Sequence, residues 1–314
     1  MVQANSIIKY NCIIVVGPTA SGKSDIALNL ALRYNGNIIN CDSQQIYKGI
    51  SVGTAKPSKS DFAMVKHHLF DYVNLGEDYS VSRYNEDATL VFDELISKNI
   101  LPIFVGGTGF YVDSLIYNHD YGYSDKNSTI REKYINLAKE KGNEYIHNLL
   151  TEVDPETAKK LHPNDTKRVI RALEIAESGT LKSQQVLTIN KKIKPFIIHV
   201  DMDREKLYER INTRVDIMIQ NGLYDEVEEL YKKGFYHKEI TLPIGYSEWK
   251  EYYANRLSFD ATIDLIKQHT RNYAKRQKTW FRRLNSTIEY DPLHNTMQSL
   301  YESLDNVFAK NKNI

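Results

Sequence analysis

The chain has 314 residues, enough to bury a sizeable core in one large domain or two, and its 41 Lys and Arg against 40 Asp and Glu leave a net charge of +1. That balance excludes a molecule drawn as a whole to nucleic acid or to a membrane surface, so any polyanion partner must be served by a local patch. No apolar run approaches the length of about 18 residues that a spanning helix needs, and the start of the chain lacks a secretory pattern, so a soluble, cytoplasmic protein is expected.

The first apolar run, Cys12-Ile13-Ile14-Val15-Val16, leads into Gly17-Pro18-Thr19-Ala20-Ser21-Gly22-Lys23-Ser24, and a helical pattern follows to Tyr34. A glycine-rich turn at this junction, with Gly-Lys-Ser at its end, is a phosphate cradle. Backbone N–H groups of the loop and helix N-terminus converge, Lys23 adds a full charge, and the Ser24 hydroxyl is suited to Mg²⁺. A short strand, Asn37 to Cys41, ends at Asp42-Ser43-Gln44-Gln45. The two strands should lie parallel across a right-handed crossover, which puts Asp42 at the ligand-binding edge of the sheet. The cysteines Cys12 and Cys41 sit in these apolar runs without metal or disulfide spacing and read as small buried residues in a reducing compartment.

Lys48 to Asp61 reads as a loop, His67 to Val73 as a weak strand, and Ser82 to Lys98 as a helix capped by Ser82. Leu101 to Val105 is a strand ending in Gly106-Gly107-Thr108-Gly109, a second glycine-rich turn, before a helix from Phe110 to Tyr117. No acid follows this strand, which weighs against a nucleotide-hydrolysing site. After a polar loop to Ser128 come helical segments Thr129 to Lys141, Glu144 to Thr151, Pro155 to Leu161 and Thr166 to Ser178, the last capped by Asn164 or Asp165. Strand character returns at Phe196 to Val200 and the rest is mainly helical, so a helical insertion at 118–195 interrupts an α/β core formed by 1–117 and 196–314.

Four features carry chemistry, each with a plain structural alternative. Asp42 is placed to act as a general base or to hold Mg²⁺ through water, or it simply opens a turn. Arg214 falls within the apolar stripe of Leu207, Ile211 and Met218, so it needs an anion: an internal acid, or a second phosphate clamped opposite Lys23. Lys167, Arg168 and Arg171 crowd the start of a helix, where the dipole disfavours cations, near Lys159 and Lys160; they form a phosphate-backbone patch or a solvated face. Arg271 to Arg283 carries six cations and no acid, interleaved with Tyr273, Trp280 and Phe281, which suits a polyanion unless the rings are core.

With these residues in order, the chain resembles the bacterial tRNA dimethylallyltransferases over nearly its full length. The resemblance rests on the cradle, Asp42-Ser43-Gln44-Gln45-Ile46-Tyr47, Gly53-Thr54-Ala55-Lys56-Pro57, Val105-Gly106-Gly107-Thr108, His162-Pro163-Asn164-Asp165 with Arg168 and Arg171-Ala172-Leu173-Glu174, Ile244-Gly245-Tyr246, and Tyr273-Ala274-Lys275-Arg276-Gln277 with Thr279-Trp280-Phe281-Arg282. It implies a P-loop NTPase-like α/β core, a parallel sheet flanked by helices, with an inserted all-helical domain that grips the tRNA anticodon arm. It implies transfer of a dimethylallyl group from its diphosphate to N6 of adenosine 37 of tRNA, with Mg²⁺ at Ser24, by a protein that works as a monomer away from membranes. Gly17 to Ser24 would hold the donor diphosphate, Asp42 would take the N6 proton, and Thr19, Thr108 and Arg214 would contact the reacting ends. Asp42, Ser43, Gln44, Gln45, Thr108, Lys167, Arg168, Val169, Ile170, Arg171, Arg276 and Gln277 match segments that meet tRNA. Ser24 replaces the threonine of many members and keeps the hydroxyl.

Two other enzymes and one binding protein fit parts of the pattern. A P-loop small-molecule kinase explains the cradle and leaves the basic helices without a purpose. Prenylation of free adenine nucleotides leaves the insertion unused, and a non-catalytic RNA-binding protein leaves Asp42 without one.

Overall fold

A computed structural model of the chain describes residues 10–118, 128–238 and 240–308. The start of the chain, residues 119–127 of the expected polar loop and the last six residues lie outside the described residues. In chain order the elements begin β1 (Cys12–Val16), α1 (Lys23–Tyr34), β2 (Gly36–Asn40), α2 (Lys59–Met64), β3 (His67–His68), α3 (Val81–Ser97), β4 (Leu101–Gly106) and α4 (Gly109–Ile116). Next come β5 (Tyr117–Asn118), α5 (Ser128–Lys141), α6 (Asn143–Val153), α7 (Pro155–Ala158), α8 (Thr166–Glu177) and β6 (Thr188–Ile189). The chain ends with β7 (Pro195–Val200), α9 (Arg204–Gln220), α10 (Leu223–Lys232), α11 (Trp249–Tyr253), α12 (Phe259–Phe281), β8 (Ile288–Tyr290) and α13 (Met297–Phe308).

These elements form two compact units, one of residues 1–116 with 190–314 and one of residues 117–189. The segment 190–195, grouped with the insertion on sequence, belongs to the first unit, where Asn190 N donates to Ile116 O and Asn11 Nδ2 to Lys192 O.

In the first unit six parallel strands run in the order β3-β2-β4-β1-β7-β8. β1 is buried on both faces, as its unbroken apolar sequence requires. Its neighbours are β4 and β7, so β2, although parallel to it, is separated from it by β4. The strand order turns at β1, and the crevice beyond its carboxyl end is where such sheets bind ligands. Ile26 and Leu30 of α1, Ile38, Ile103, Val105 and Ile198 of the sheet and Leu304 of α13 make one core. A second core, around Tyr246, Trp249, Val227 and Ile266, holds α9 to α12 together.

Local chemistry moves several boundaries. The expected loop from Lys48 to Asp61 runs into the start of α2, a six-residue helix with no buried side chain, started by a capping box between Ser58 and Asp61. Ser80, not Ser82, caps α3 by accepting the Arg83 N–H. The weak strand stops at His68 because Leu69 and Asp71 adopt left-handed backbone, φ +62° and +55°.

The second unit is helical, with a two-residue antiparallel pairing of β5 and β6. Its core joins Tyr134, Ile146, Leu150, Val169, Ile170 and Leu173. Asp165 stands at the N-cap of α8 but its side chain makes no cap bond and pairs with Arg168 instead, at 3.3 Å. Among the described residues no helix is long and apolar enough to cross a membrane.

Candidate active site

The cradle is built by the turn from β1 to α1. Gly17 packs so closely that a Cβ there would lie 2.3 Å from Val200 O, and Gly22 takes φ +92° at the N-cap, a conformation only glycine adopts without cost. Ala20 between them is held at φ +63°, a strained value for a residue with a side chain. The loop is closed by Ser21 N to Pro18 O, and the buried Ser21 hydroxyl has no hydrogen-bond partner. The first N–H groups of α1 have no partner within the helix and open toward a ligand.

Across the cradle lies α9. Ala20, Lys23, Ser24 and Asp25 line one side of a cleft of about 470 Å³, and Glu209, Arg210, Thr213 and Arg214 line the other, three cations against two acids. Lys23 Nζ donates to Pro18 O at 3.2 Å and makes no ion pair among the described residues; burial pushes its pKa down to about 8, against the pull of Asp42 and with a push from Arg214. Arg214 is lowered too, by burial first, with Asp25 and Asp42 pulling it back and Arg210 adding repulsion. The internal acid that sequence reasoning left open for Arg214 is not bonded to it: no hydrogen bond or ion pair of its guanidinium occurs among the described residues. Two cations with penalised charges therefore share a cleft suited to an anion.

Asp42 follows β2. One carboxylate oxygen accepts the Gln44 N–H at 2.9 Å, which is the turn-opening bond, and the Asp42 N–H is held by Asn40 Oδ1 at 2.8 Å. The turn leaves the second oxygen without a hydrogen bond among the described residues, within the field of Lys23 and Arg214. Both readings of Asp42 are thus physically compatible. Thr108 joins the same edge: its Oγ accepts Ser43 N–H at 2.9 Å and donates to Ser43 Oγ at 3.1 Å, while its own N–H reaches Cys41 O. Cys41 is buried with its pKa pushed up to about 12, first by burial, so neither it nor the equally buried Cys12 is a nucleophile here.

Two distant motifs meet beside this edge. The Tyr246 hydroxyl accepts Gly53 N–H at 2.9 Å and donates to Glu226 at 2.6 Å, and Glu226 also receives the N–H groups of Ser51 and Val52. Gln45 Nε2 donates to Thr54 O and Ala55 O, so its amide nitrogen is spent on holding this loop.

Three of the sequence-derived contact residues have enclosed side chains. Val169 and Ile170 point into the core of the second unit, at 0% and 5% exposure, because the apolar stripe of α8 must be buried; only Lys167, Arg168 and Arg171 of that segment carry side chains outward. Gln277 is 4% exposed and bonded at both ends of its amide inside the first unit. Arg171 shares the buried Glu174 with Arg131, so it is partly an internal brace. Lys182 is depressed by burial, then by Arg171 and Arg168, with Asp154 pulling the other way. On α12, Lys278 pairs with Asp201, Arg271 bonds Asn212, and Arg276 lies over the Tyr273 ring; Lys275, Arg276, Arg282 and Arg283 remain exposed.

Sequence reasoning missed Arg210, Thr213 and Asp25 as cleft residues. The signal for Arg210 was its spacing, four residues before Arg214 on one helix face.

A parallel α/β sheet with this loop at its switch point, beside two cations that form no ion pair among the described residues and a nearby carboxylate, is an arrangement suited to a phosphorylated ligand and to acid–base or displacement chemistry. A sequence profile described as IPP transferase matches residues 45–284. The tRNA dimethylallyltransferase of Acetivibrio thermocellus is 45% identical over 282 residues, with 88% of this chain and 90% of that protein covered. That of Alkaliphilus oremlandii is 42% identical over 303 residues, with 95% of each covered. Among solved structures, the tRNA isopentenylpyrophosphate transferase of Bacillus halodurans matches with a TM-score of 0.70 at 34% identity, covering 96% of each chain. A eukaryotic dimethylallyltransferase acting on tRNA matches with a TM-score of 0.84 at 28% identity, covering 96% of this chain and 80% of that one. The chain belongs to the IPP transferase family.

Proposed function

We propose that this protein transfers a dimethylallyl group from dimethylallyl diphosphate to N6 of adenosine 37 in the anticodon loop of tRNA, releasing diphosphate. The observation that carries the reading is that two cations, Lys23 and Arg214, face one cleft within the field of the Asp42 carboxylate and form no ion pair among the described residues. The names of its relatives supply the substrate class.

The chemistry is a displacement at the allylic carbon. The N6–C1 bond forms, the C1–O bond to diphosphate breaks, and the N6 proton passes to the second oxygen of Asp42. Lys23 and Arg214 meet the charge that grows on the departing diphosphate, at a place where their own charges are penalised until an anion arrives. Mg²⁺ would be held by Ser24 together with donor oxygens and water. The exposed Ser24 hydroxyl on the cleft wall fits this, and no cluster of three acidic, His or Cys side chains for an all-protein site exists among the described residues. When bound, the ion supplies further neutralisation of the diphosphate.

The target base must leave its stack to reach Asp42, at a cost of a few kcal/mol that phosphate contacts repay. Lys167 and Arg168 of the second unit and the exposed cations of α12 are the groups for those contacts. The protein acts as a monomer in the cytoplasm with its tRNA. The test is nucleoside mass analysis of unmodified tRNA incubated with protein, dimethylallyl diphosphate and Mg²⁺. A dimethylallyl gain on the target adenosine is expected; unmodified tRNA with consumption of ATP instead would favour a kinase.

A further inference from the structure

Gln277 was matched to a tRNA-contacting segment, yet its side chain is almost wholly enclosed and both ends of its amide are used. Oε1 accepts the backbone N–H of Thr19, at 2.8 Å, and Nε2 donates to the backbone carbonyl of Gly107, also at 2.8 Å. One side chain on α12 thus ties the phosphate cradle after β1 to the glycine turn after β4. The fit depends on glycine. A Cβ on Gly107 would lie 2.1 Å from Gln277 Nε2, and one on Gly109 would lie 2.3 Å from the Trp280 ring. Tyr273, one helical turn before Gln277, lies against Thr108 and Gln277.

We infer that Gln277 is the positioning residue of the donor site: it fixes the cradle against the Gly107 turn, so that α12, whose outer face carries exposed cations, sets the shape of the loop that receives the diphosphate. The inference rests on the diphosphate-binding reading above for its ligand. Thr19 N–H is turned toward Gln277, so the ligand must be met by the amides after it, at the start of α1. Losing the amide releases that N–H and lets the loop, already strained at Ala20, relax. Nothing about Gln277 requires it to touch either substrate.

The test is the affinity of the full-length protein for inorganic diphosphate with Mg²⁺, by calorimetry, for wild type, Gln277→Ala, Gly107→Ala and the double variant. Each single change is expected to weaken binding about tenfold or more, the order expected when the two buried hydrogen bonds of the Gln277 amide are lost or distorted. The double variant should bind no more weakly than Gln277→Ala alone, because with the amide gone the next atom a Cβ at 107 meets is Gly17 O, at an ordinary 3.5 Å. Losses that add in the double variant, or wild-type affinity in Gln277→Ala, overturn the inference. If Gln277→Ala does not fold, Gln277→Val, which ends at the γ carbons and loses both bonds, takes its place in the cycle. Because the ligand is diphosphate alone, failure of the prenyl-transfer reading shows in tRNA modification and leaves this cycle readable; no diphosphate binding by wild type overturns both.

Discussion

Asp42 and Lys23 act on each other through space without forming an ion pair: the carboxylate is held by the Gln44 N–H and the ammonium by Pro18 O. A closed pair would neutralise both groups, whereas here each keeps its charge for a ligand. The base is positioned by its own turn. Asp42→Asn keeps the amide-accepting oxygen and removes the proton acceptor. The expected loss in single-turnover rate is about 10²- to 10⁴-fold with tRNA affinity nearly unchanged. A variant defective mainly in tRNA binding would contradict the assignment.

Lys23 gives a pH signature. Its pKa of about 8 in the free protein lies below the usual lysine value because burial penalises the charge, and a bound diphosphate reverses that penalty. Binding should therefore take up a proton between about pH 8 and 10, an uptake absent below about pH 7, where Lys23 is already protonated. Calorimetry in buffers of different ionisation enthalpy measures it. The same sign applies to folding: the unpaired charge destabilises the ligand-free protein below the folded pKa, and the penalty fades as pH rises through 8 toward the unfolded value. Lys23→Met should raise the Tm of the free protein at pH 7 while abolishing diphosphate binding.

Arg214→Ala should raise the apparent KM for the donor by about 10- to 100-fold, the range for losing a charge-assisted contact, and lower kcat as well if the contact tightens at the leaving group. Arg214→Lys should restore little, since a point charge does not reproduce a planar fork. Steady-state kinetics with donor varied at saturating tRNA distinguishes these outcomes.

The segment from Lys167 to Ile170 should separate into two kinds of residue. Lys167 is exposed and has no ion pair among the described residues, so Lys167→Ala should weaken tRNA binding and lower the salt slope by about one counterion. Ile170→Ala, in the core of the same helix, should instead cost about 2–5 kcal/mol of that unit's stability and leave the salt slope alone. Filter binding at several salt concentrations, beside denaturant melts, checks both.

Glu226→Ala removes the acceptor of the Ser51 and Val52 N–H groups and the partner of the Tyr246 hydroxyl. Leaving these partly buried donors unmet should cost about 1–3 kcal/mol, read as a lowered Tm or denaturant midpoint.

The cradle, Asp42 at a strand end and the run of cations were legible in the sequence because each is a local pattern: a turn needs glycine, a buried strand is apolar throughout, and charges cluster along one stretch. Helix and strand positions followed from the same periodicity, with slips where a short polar cap decided the start, as at Ser58 and Ser80. The tertiary structure alone decided what the long-range contacts are. β4 enters between β1 and β2, so Thr108 and Ser43 become neighbours. Arg214 is left without a bonded acid among the described residues, and Gln277 turns inward to Thr19 and Gly107 from a helix whose sequence advertises charge and aromatic rings. Periodicity gives the face a residue occupies on its own helix; which backbone waits opposite that face depends on how the whole sheet is ordered, and no local stretch of sequence contains that.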